Sequence, residues 1–179
     1  MNGVGRVRTQ VTLFVEPPWG PVLDELRAVL DPVQAALISA HVTLLREDEF
    51  ADVAADVILH RAGAWAAGPL VLGFGRPQRF EGHGVLLPCE RGAEGFRGLR
   101  RWLLPDRDVR EHAAHLTLAH PRNPRSTGNT DEAIESLPQV LELEFTTASL
   151  IEQVGREPWR IIQSVRLGRC DSGIDNGLV

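Results

Sequence analysis

The sequence contains no lysine and no tyrosine among its 179 residues. All 19 basic side chains are therefore arginine, which excludes a lysine nucleophile or Schiff base and leaves guanidinium as the only cationic phosphate ligand. Cysteine is scarce as well: Cys89 and Cys170 are the only two, and neither belongs to a C-x-x-C pair, which argues against a cysteine zinc site. With so few cysteines, a reducing cytosol is the expected compartment.

No apolar run approaches the roughly 20 residues that a membrane-spanning helix needs. The longest early apolar stretch, Val11 to Val15, is interrupted by Thr12 and stopped by Pro17 and Pro18. We therefore expect no membrane span, no signal peptide and a cytoplasmic location. The net charge of −5 argues against sequence-independent binding to long nucleic acid, but it allows an RNA end or a small phosphate ligand in a locally positive cleft.

Hydrophobic periodicity predicts an α+β chain in which helices cover antiparallel or mixed sheet. The predicted strands are 11–15, 41–45, 69–74, 85–87, 115–119, 141–146 and 159–167. The predicted helices are 22–30, a short helix capped by Asp31, 48–66, 96–103 and a short helix capped by Thr130. A turn at 155–158 is expected to join the last two strands, and residues 170–179 are expected to form a flexible C-terminal tail.

Two segments share the pattern H-x-T-L: His41 to Leu44 and His115 to Leu118. In a strand, residues i and i+2 point to the same face, so each histidine projects with its threonine while the apolar residues project into the core. If the two strands lie near each other, two imidazoles and two hydroxyls face one space. Six histidines and eight threonines would give roughly 0.3 H-x-T triplets by chance, so two copies are an excess.

This set of side chains suits displacement at phosphorus. One imidazole can take a proton from the attacking oxygen while the other gives a proton to the leaving oxygen. The hydroxyls of Thr43 and Thr117 can donate to the non-bridging oxygens, where charge concentrates, and no metal ligand is needed. The alternative is a half-buried structural histidine beside a β-forming threonine, which explains one copy of the motif better than two.

The two motifs, His41/Thr43 and His115/Thr117, resemble those of the 2H phosphoesterases, which include bacterial RNA 2′,3′-cyclic phosphodiesterases of the 2′-5′ RNA ligase family. The resemblance covers most of the chain. It implies a single domain over residues 1–169, with two pseudo-symmetric lobes of antiparallel or mixed sheet flanked by helices around a central cleft. It also implies metal-independent hydrolysis of a cyclic phosphate, at an RNA 3′ end or on a small cyclic nucleotide, to a 2′-phosphate. By the same resemblance His115 is the base that activates water and His41 is the acid.

Two positions depart from the family pattern. Relatives carry arginine soon after the second motif, where this chain has His120 followed by Arg122, and they place tyrosine near the start of the last strand, where Trp159 stands. We expect Trp159 to stack on a nucleobase and Arg122 to hold a second phosphate or the ribose. The alternatives are packing against the sheet for Trp159 and a solvated loop position for Arg122.

A zinc site built from His112, His115 and His120 is the competing chemistry. Because His115 and His120 are an odd number of residues apart, they would face opposite ways in one regular strand, and no acidic residue with ligand-like spacing follows. We therefore expect no metal and no other cofactor. The competing function is a non-catalytic module that binds phosphorylated RNA ends or nucleotides. No obligate protein partner is evident, and a monomer is expected.

Overall fold

The computed structural model describes residues 6–107 and 109–168. The strands are β1 (Val7–Phe14), β2 (His41–Arg46), β3 (Leu70–Phe74), β4 (Gln78–Phe80), β5 (Gly84–Arg91), β6 (His115–Ala119), β7 (Leu141–Phe145), β8 (Thr147–Val154) and β9 (Arg160–Arg166). The helices are α1 (Trp19–Leu30), α2 (Pro32–Ala35), α3 (Glu47–Phe50), α4 (Ala55–Gly63), α5 (Ala93–Leu103) and α6 (Asp131–Glu135). In these two ranges, no helix has the length and apolar character needed to cross a membrane.

The strands form two sheets, one in each lobe. The first sheet has the order β2-β1-β8-β9; the second has the order β4-β5-β3-β7, with β6 also paired to β5. Every strand pair is antiparallel. The predicted α+β fold with two sheet-based lobes is therefore confirmed, and its sheets are antiparallel rather than mixed.

The two lobes reach their motif strands by the same order of elements. In the first lobe β1 is followed by α1, the one-turn helix α2 and then β2, which pairs with β1; in the second lobe β5 is followed by α5 and then by β6, which pairs with β5. Strands β2 and β6 contact each other where the lobes meet, while α1 also packs on β6 and α5 on β2. This exchange of contacts brings the two motifs together.

Burial along the motif strands follows the predicted alternation. Each of the four apolar residues is 0% exposed, whereas the histidines and threonines are only partly buried; the apolar four are Val42, Leu44, Leu116 and Leu118. Removing one such side chain from water stabilises a fold by roughly 1.5–3 kcal/mol, which fixes the strand face that carries the histidines. These residues belong to one core that continues through both lobes.

The predicted helix over 48–66 is wrong in its middle, because α3 ends at Phe50 and α4 starts at Ala55. Helix α3 is a single turn held by Glu49, whose carboxylate accepts the backbone N–H of Arg46 at 2.9 Å. The chain then turns so that α4 packs against β8 and β9. The helical spacing of apolar residues continues through residues 51–54, so the sequence pattern gives no sign that the helix is interrupted there.

Strand β8, which fills residues 147–154, was missed. The turn predicted at 155–158 is present, but it joins β8 to β9 instead of joining the strand over 141–146 to β9. Strand β8 lies between β1 and β9, and its residues 148–151 are all buried. A strand covered on both faces lacks the apolar–polar alternation that reveals a half-buried strand. Strand β4 was missed because it has only three residues, and β5 extends to Arg91 rather than ending at Leu87.

Helix α1 begins at Trp19, earlier than predicted, and buries a different face. Val22 and Val29, expected in the core, are 45% and 49% exposed. The buried positions are Gly20, Leu23, Arg27 and Leu30. The buried face was predicted wrongly because Arg27 lies on it, and a charged side chain normally indicates the solvent-facing side of a helix.

Both predicted helix caps are confirmed. The Asp31 carboxylate accepts the backbone N–H of Gln34 at 2.9 Å, and the Thr130 hydroxyl accepts that of Ala133 at 3.3 Å. The predicted flexible tail, residues 170–179, lies outside the described residues, and the single domain over 1–169 stays a prediction.

Candidate active site

The six predicted catalytic and substrate-binding side chains all line one cavity of about 700 Å³: His41, Thr43, His115, Thr117, Arg122 and Trp159. The cavity lies where β2 and β6 meet, so each lobe contributes one H-x-T pair. A larger groove of about 850 Å³ is lined in part by residues 35–39 and shares Leu37, Ile38 and Trp159 with this cavity, but neither motif histidine lines it. We place the candidate site in the smaller cavity because the groups capable of proton transfer converge there.

The two histidines are held by the same local bond. His41 Nδ1 lies 2.8 Å from the carbonyl oxygen of Ser39, and His115 Nδ1 lies 2.9 Å from that of Ala113. A carbonyl oxygen can only accept, so we assign the proton to Nδ1 in both rings. This leaves Nε2 of each imidazole free to exchange a proton with a ligand in the cavity.

The environment of His41 favours its neutral form. Burial lowers the pKa of His41 to about 4, and the positive charges of Arg27 and His115 act in the same direction. The hydrogen bond to Ser39 and the charge of Asp24 oppose this lowering of the pKa without cancelling it. Near neutral pH in the unliganded protein, His41 Nε2 therefore carries a lone pair that can accept a proton.

Gln10, which the sequence analysis missed, orients the first threonine. Its Nε2 donates to Thr43 Oγ1 at 3.1 Å and to Thr12 Oγ1 at 2.8 Å, and both Gln10 and Thr43 line the cavity. Because the amide uses an acceptor site on Thr43, the Thr43 hydroxyl proton is free to point to a ligand. The signal was available in the alternation of β1, which places Gln10 and Thr12 on one face.

An aromatic ring and two separate arginines also line the cavity: Trp159, Arg8 and Arg122. Trp159 is fixed by its backbone N–H, which donates to the Leu37 carbonyl at 2.9 Å. The Arg8 guanidinium lies over the indole, 5.4 Å from the ring centroid. Arg122 is exposed on the loop after β6. A base stacked on Trp159 would therefore use the indole face opposite Arg8.

His120 and His112 do not lie as the strand pattern suggested. Strand β6 ends at Ala119, so His120 sits in the following loop and lines the same cavity as His115; the expectation that these two face opposite ways is wrong. His112 stands edge-on to His115 with ring centroids 6.3 Å apart, and burial lowers the pKa of His112 to about 4. Within residues 6–107 and 109–168, no three or more His, Cys, Asp or Glu side chains are grouped to hold a metal ion.

Solved structures share this arrangement of elements. E. coli LigT in complex with 3′-AMP superposes with a TM-score of 0.59 and 17% identity, over 92% of this chain and 99% of LigT. The chain has a LigT-like fold. TT0787 of Thermus thermophilus gives a TM-score of 0.56 and 19% identity, over 90% of this chain and 98% of that protein. A structure described as a phosphoesterase gives a TM-score of 0.52 and 13% identity, over 92% of this chain and 100% of that protein.

The likeness to LigT and TT0787 confirms the fold predicted from the resemblance to the 2H phosphoesterases. Sequence comparison adds nothing to it, because no family model matches the chain and no curated protein sequence matches it significantly. At these identities the likeness establishes the fold, and the chemistry has to be argued from the side chains of the cavity.

Proposed function

We propose that the chain is a 2H phosphoesterase that hydrolyses a 2′,3′-cyclic phosphate, at an RNA 3′ end or on a small cyclic nucleotide, to a 2′-phosphate. The observation that carries the proposal is the convergence of two H-x-T pairs, from different lobes, on one cavity. Each imidazole in that cavity has its Nδ1 bonded to a carbonyl, which leaves its Nε2 for the substrate. A cytosolic setting and a monomeric state remain predictions.

The lowered pKa of His41 favours one assignment of roles. A neutral imidazole can accept a proton, so we assign His41 as the base that takes a proton from the attacking water. In the reactive form His115 is the imidazolium, with one proton on Nδ1 and a second on Nε2, and it gives the Nε2 proton to the 3′-oxygen as the bond from phosphorus to that oxygen breaks. One water is consumed and a 2′-phosphate with a free 3′-hydroxyl results. This is the reverse of the order implied by the resemblance, which made His115 the base.

The remaining cavity residues stabilise charge and hold the nucleoside. Thr43, with its hydroxyl oriented by Gln10, and Thr117 donate to the non-bridging oxygens of the phosphate. Trp159 supplies a face for a base, and Arg122 pairs with a neighbouring phosphate or contacts the ribose. Because the chain has no lysine, cationic contacts of this kind depend on arginine.

A non-catalytic binding module is the second candidate function. LigT has been crystallised with 3′-AMP, ATP, NADP+ and phosphate, which is consistent with nucleotide binding by this fold. Binding alone would not require two imidazoles with free Nε2 atoms in one cavity. Turnover of a cyclic phosphate separates the two candidates.

The pH dependence of turnover tests both the function and the roles. With His41 as base, kcat/KM for 2′,3′-cyclic AMP should rise as His41 loses its proton, so the acidic limb should lie near the pKa of about 4. A bound phosphate anion favours the imidazolium, so the acidic limb of kcat should lie at higher pH than that of kcat/KM.

The measurement is a set of initial rates from about pH 3.5 to about pH 9, with the folded fraction checked at each pH. If His41 were the acid, kcat/KM would already decline above about pH 4, and the assignment would be reversed. Binding of the nucleotide without turnover at any pH would favour the binding module.

A further inference from the structure

Two arginines are almost completely buried, one on each helix that leads to a motif strand. Arg27 on α1 is 0% exposed, and Arg100 on α5 is 2% exposed. Burying a guanidinium is costly unless its donors find acceptors. The acceptors of these two side chains therefore show what they hold in place.

Arg27 connects the second motif strand to the first lobe. Its Nε donates to the carbonyl of Thr117 in β6 at 3.2 Å, and its Nη1 donates to the carbonyl of Ile38 at 2.7 Å. Nη1 also donates to Asp24 Oδ1 at 2.9 Å, and the same oxygen accepts the backbone N–H of Ala40 at 2.6 Å. One guanidinium thus joins β6 to the residues immediately before the first motif.

Arg100 makes a corresponding set of contacts from the second lobe. Its Nη1 donates to the carbonyl of Leu44 in β2 at 2.7 Å, and its Nη2 donates to the carbonyl of Arg110 at 2.7 Å. Nη2 also donates to Glu49 Oε1 at 2.5 Å. This guanidinium joins β2 to the segment that leads to the second motif.

We infer that Arg27 and Arg100 are reciprocal positioning residues that set the spacing between His41 and His115. Strands β2 and β6 touch but belong to different sheets, so in the described part of the chain no backbone ladder fixes one against the other. At this junction each arginine instead bonds a carbonyl of the other lobe's motif strand. The inference rests on the proposed function, because the spacing matters for catalysis when both imidazoles act on one phosphate.

We expect these arginine hydrogen bonds to affect the catalytic rate, because a catalytic site tolerates only small displacements of its reacting groups. Reacting groups must be held within about 0.5 Å of their productive geometry. A displacement of about 1 Å can cost roughly 100-fold in rate. A merely structural role would instead satisfy buried carbonyls and leave the rate of a folded variant unchanged.

The test compares Arg27→Met with Arg61→Met. Arg61 Nη1 also donates to a backbone carbonyl, that of Leu103 at 2.8 Å, but this bond joins α4 to α5 and touches neither motif strand. For 2′,3′-cyclic AMP, Arg27→Met should lower kcat about 10- to 100-fold with KM changed less than about 3-fold. Arg61→Met should keep kcat within about 2-fold of the wild-type value. A folded Arg27→Met protein with wild-type kcat would overturn the inference.

A double variant separates positioning from a general loss of structure. If Arg27 acts through the histidine pair, adding Arg27→Met to His41→Ala should lower the residual rate by less than about 3-fold. If Arg27→Met lowered the rate of the His41→Ala protein by the same factor as it lowers the wild-type rate, the inference would be contradicted. Should Arg27→Met fail to fold, Arg27→Lys keeps the charge but cannot span both carbonyls, and its kcat should still fall about 10-fold.

A structural readout keeps the inference testable if the proposed function is wrong. If the wild-type protein hydrolyses no cyclic phosphate, crystal structures of the wild-type and Arg27→Met proteins decide instead. The distance between the Nε2 atoms of His41 and His115 should change by about 1 Å. A change below about 0.5 Å would show that the arginine does not set the spacing.

Discussion

Replacing His41 or His115 by alanine is expected to lower kcat for cyclic phosphate hydrolysis at least ~100-fold, the usual loss for an acid or base. Nδ1 of each imidazole is hydrogen-bonded to a backbone carbonyl, so the substitution lowers the rate by removing Nε2, the atom that exchanges a proton with the substrate. The measurement is kcat and KM for 2′,3′-cyclic AMP, with thermal melting to show that each variant is folded.

The double variant should be little worse than either single one, within about 3-fold, because one imidazole cannot complete both proton transfers. His60→Ala is the matched control: His60 is exposed on α4 and does not line the cavity, so the rate should not change. Wild-type activity in either motif variant would remove that histidine from the mechanism. Losses that multiply in the double variant would show two independent roles rather than a pair.

Replacing Glu49 by alanine is expected to destabilise the fold by about 3–5 kcal/mol, because Arg100 would keep a buried charge without its carboxylate. The side chains of Arg100 and Glu49 are 2% and 5% exposed, and Glu49 also accepts the backbone N–H of Arg46. The free energy of unfolding in urea gives the measurement.

Glu142→Ala provides the control for this loss. Glu142 pairs with Arg91 at 3.4 Å, but both side chains are largely exposed, at 59% and 61%. Solvent screening leaves such a pair roughly 0–1 kcal/mol, so the control should lie in that range. Equal losses for Glu49→Ala and Glu142→Ala would contradict the view that the Arg100–Glu49 pair holds the junction between the lobes.

The motif strands were predictable because their information is local. The alternation in H-V-T-L and H-L-T-L places the histidine and threonine on one face, and the structure buries the apolar residues as expected. The caps at Asp31 and Thr130 were likewise available, since a short polar side chain bonds an N–H three residues ahead. These features depend on neighbours within a few positions of the chain.

The features that were missed depend on distant partners. Strand β8 has no alternation because residues on both of its faces are buried against the rest of the protein. The break between α3 and α4 follows from contacts of Glu49 and α4 with other elements. Arg27 interrupts the apolar face of α1, and nothing nearby in the sequence shows that it bonds a residue 90 positions away. The alternation of β1 places Gln10 and Thr12 on one face, but the sequence does not show that Gln10 donates to Thr43, 33 positions away.

The measurement that tests the central claim most directly is hydrolysis of 2′,3′-cyclic AMP by protein dialysed against EDTA, with and without added Zn²⁺. Two histidines acting as base and acid need no ion, so the account predicts the same rate in EDTA, no gain with Zn²⁺, and 2′-AMP as product. A rate that disappears in EDTA and returns with metal would contradict it, and would return His112, His115 and His120 to consideration as a metal site.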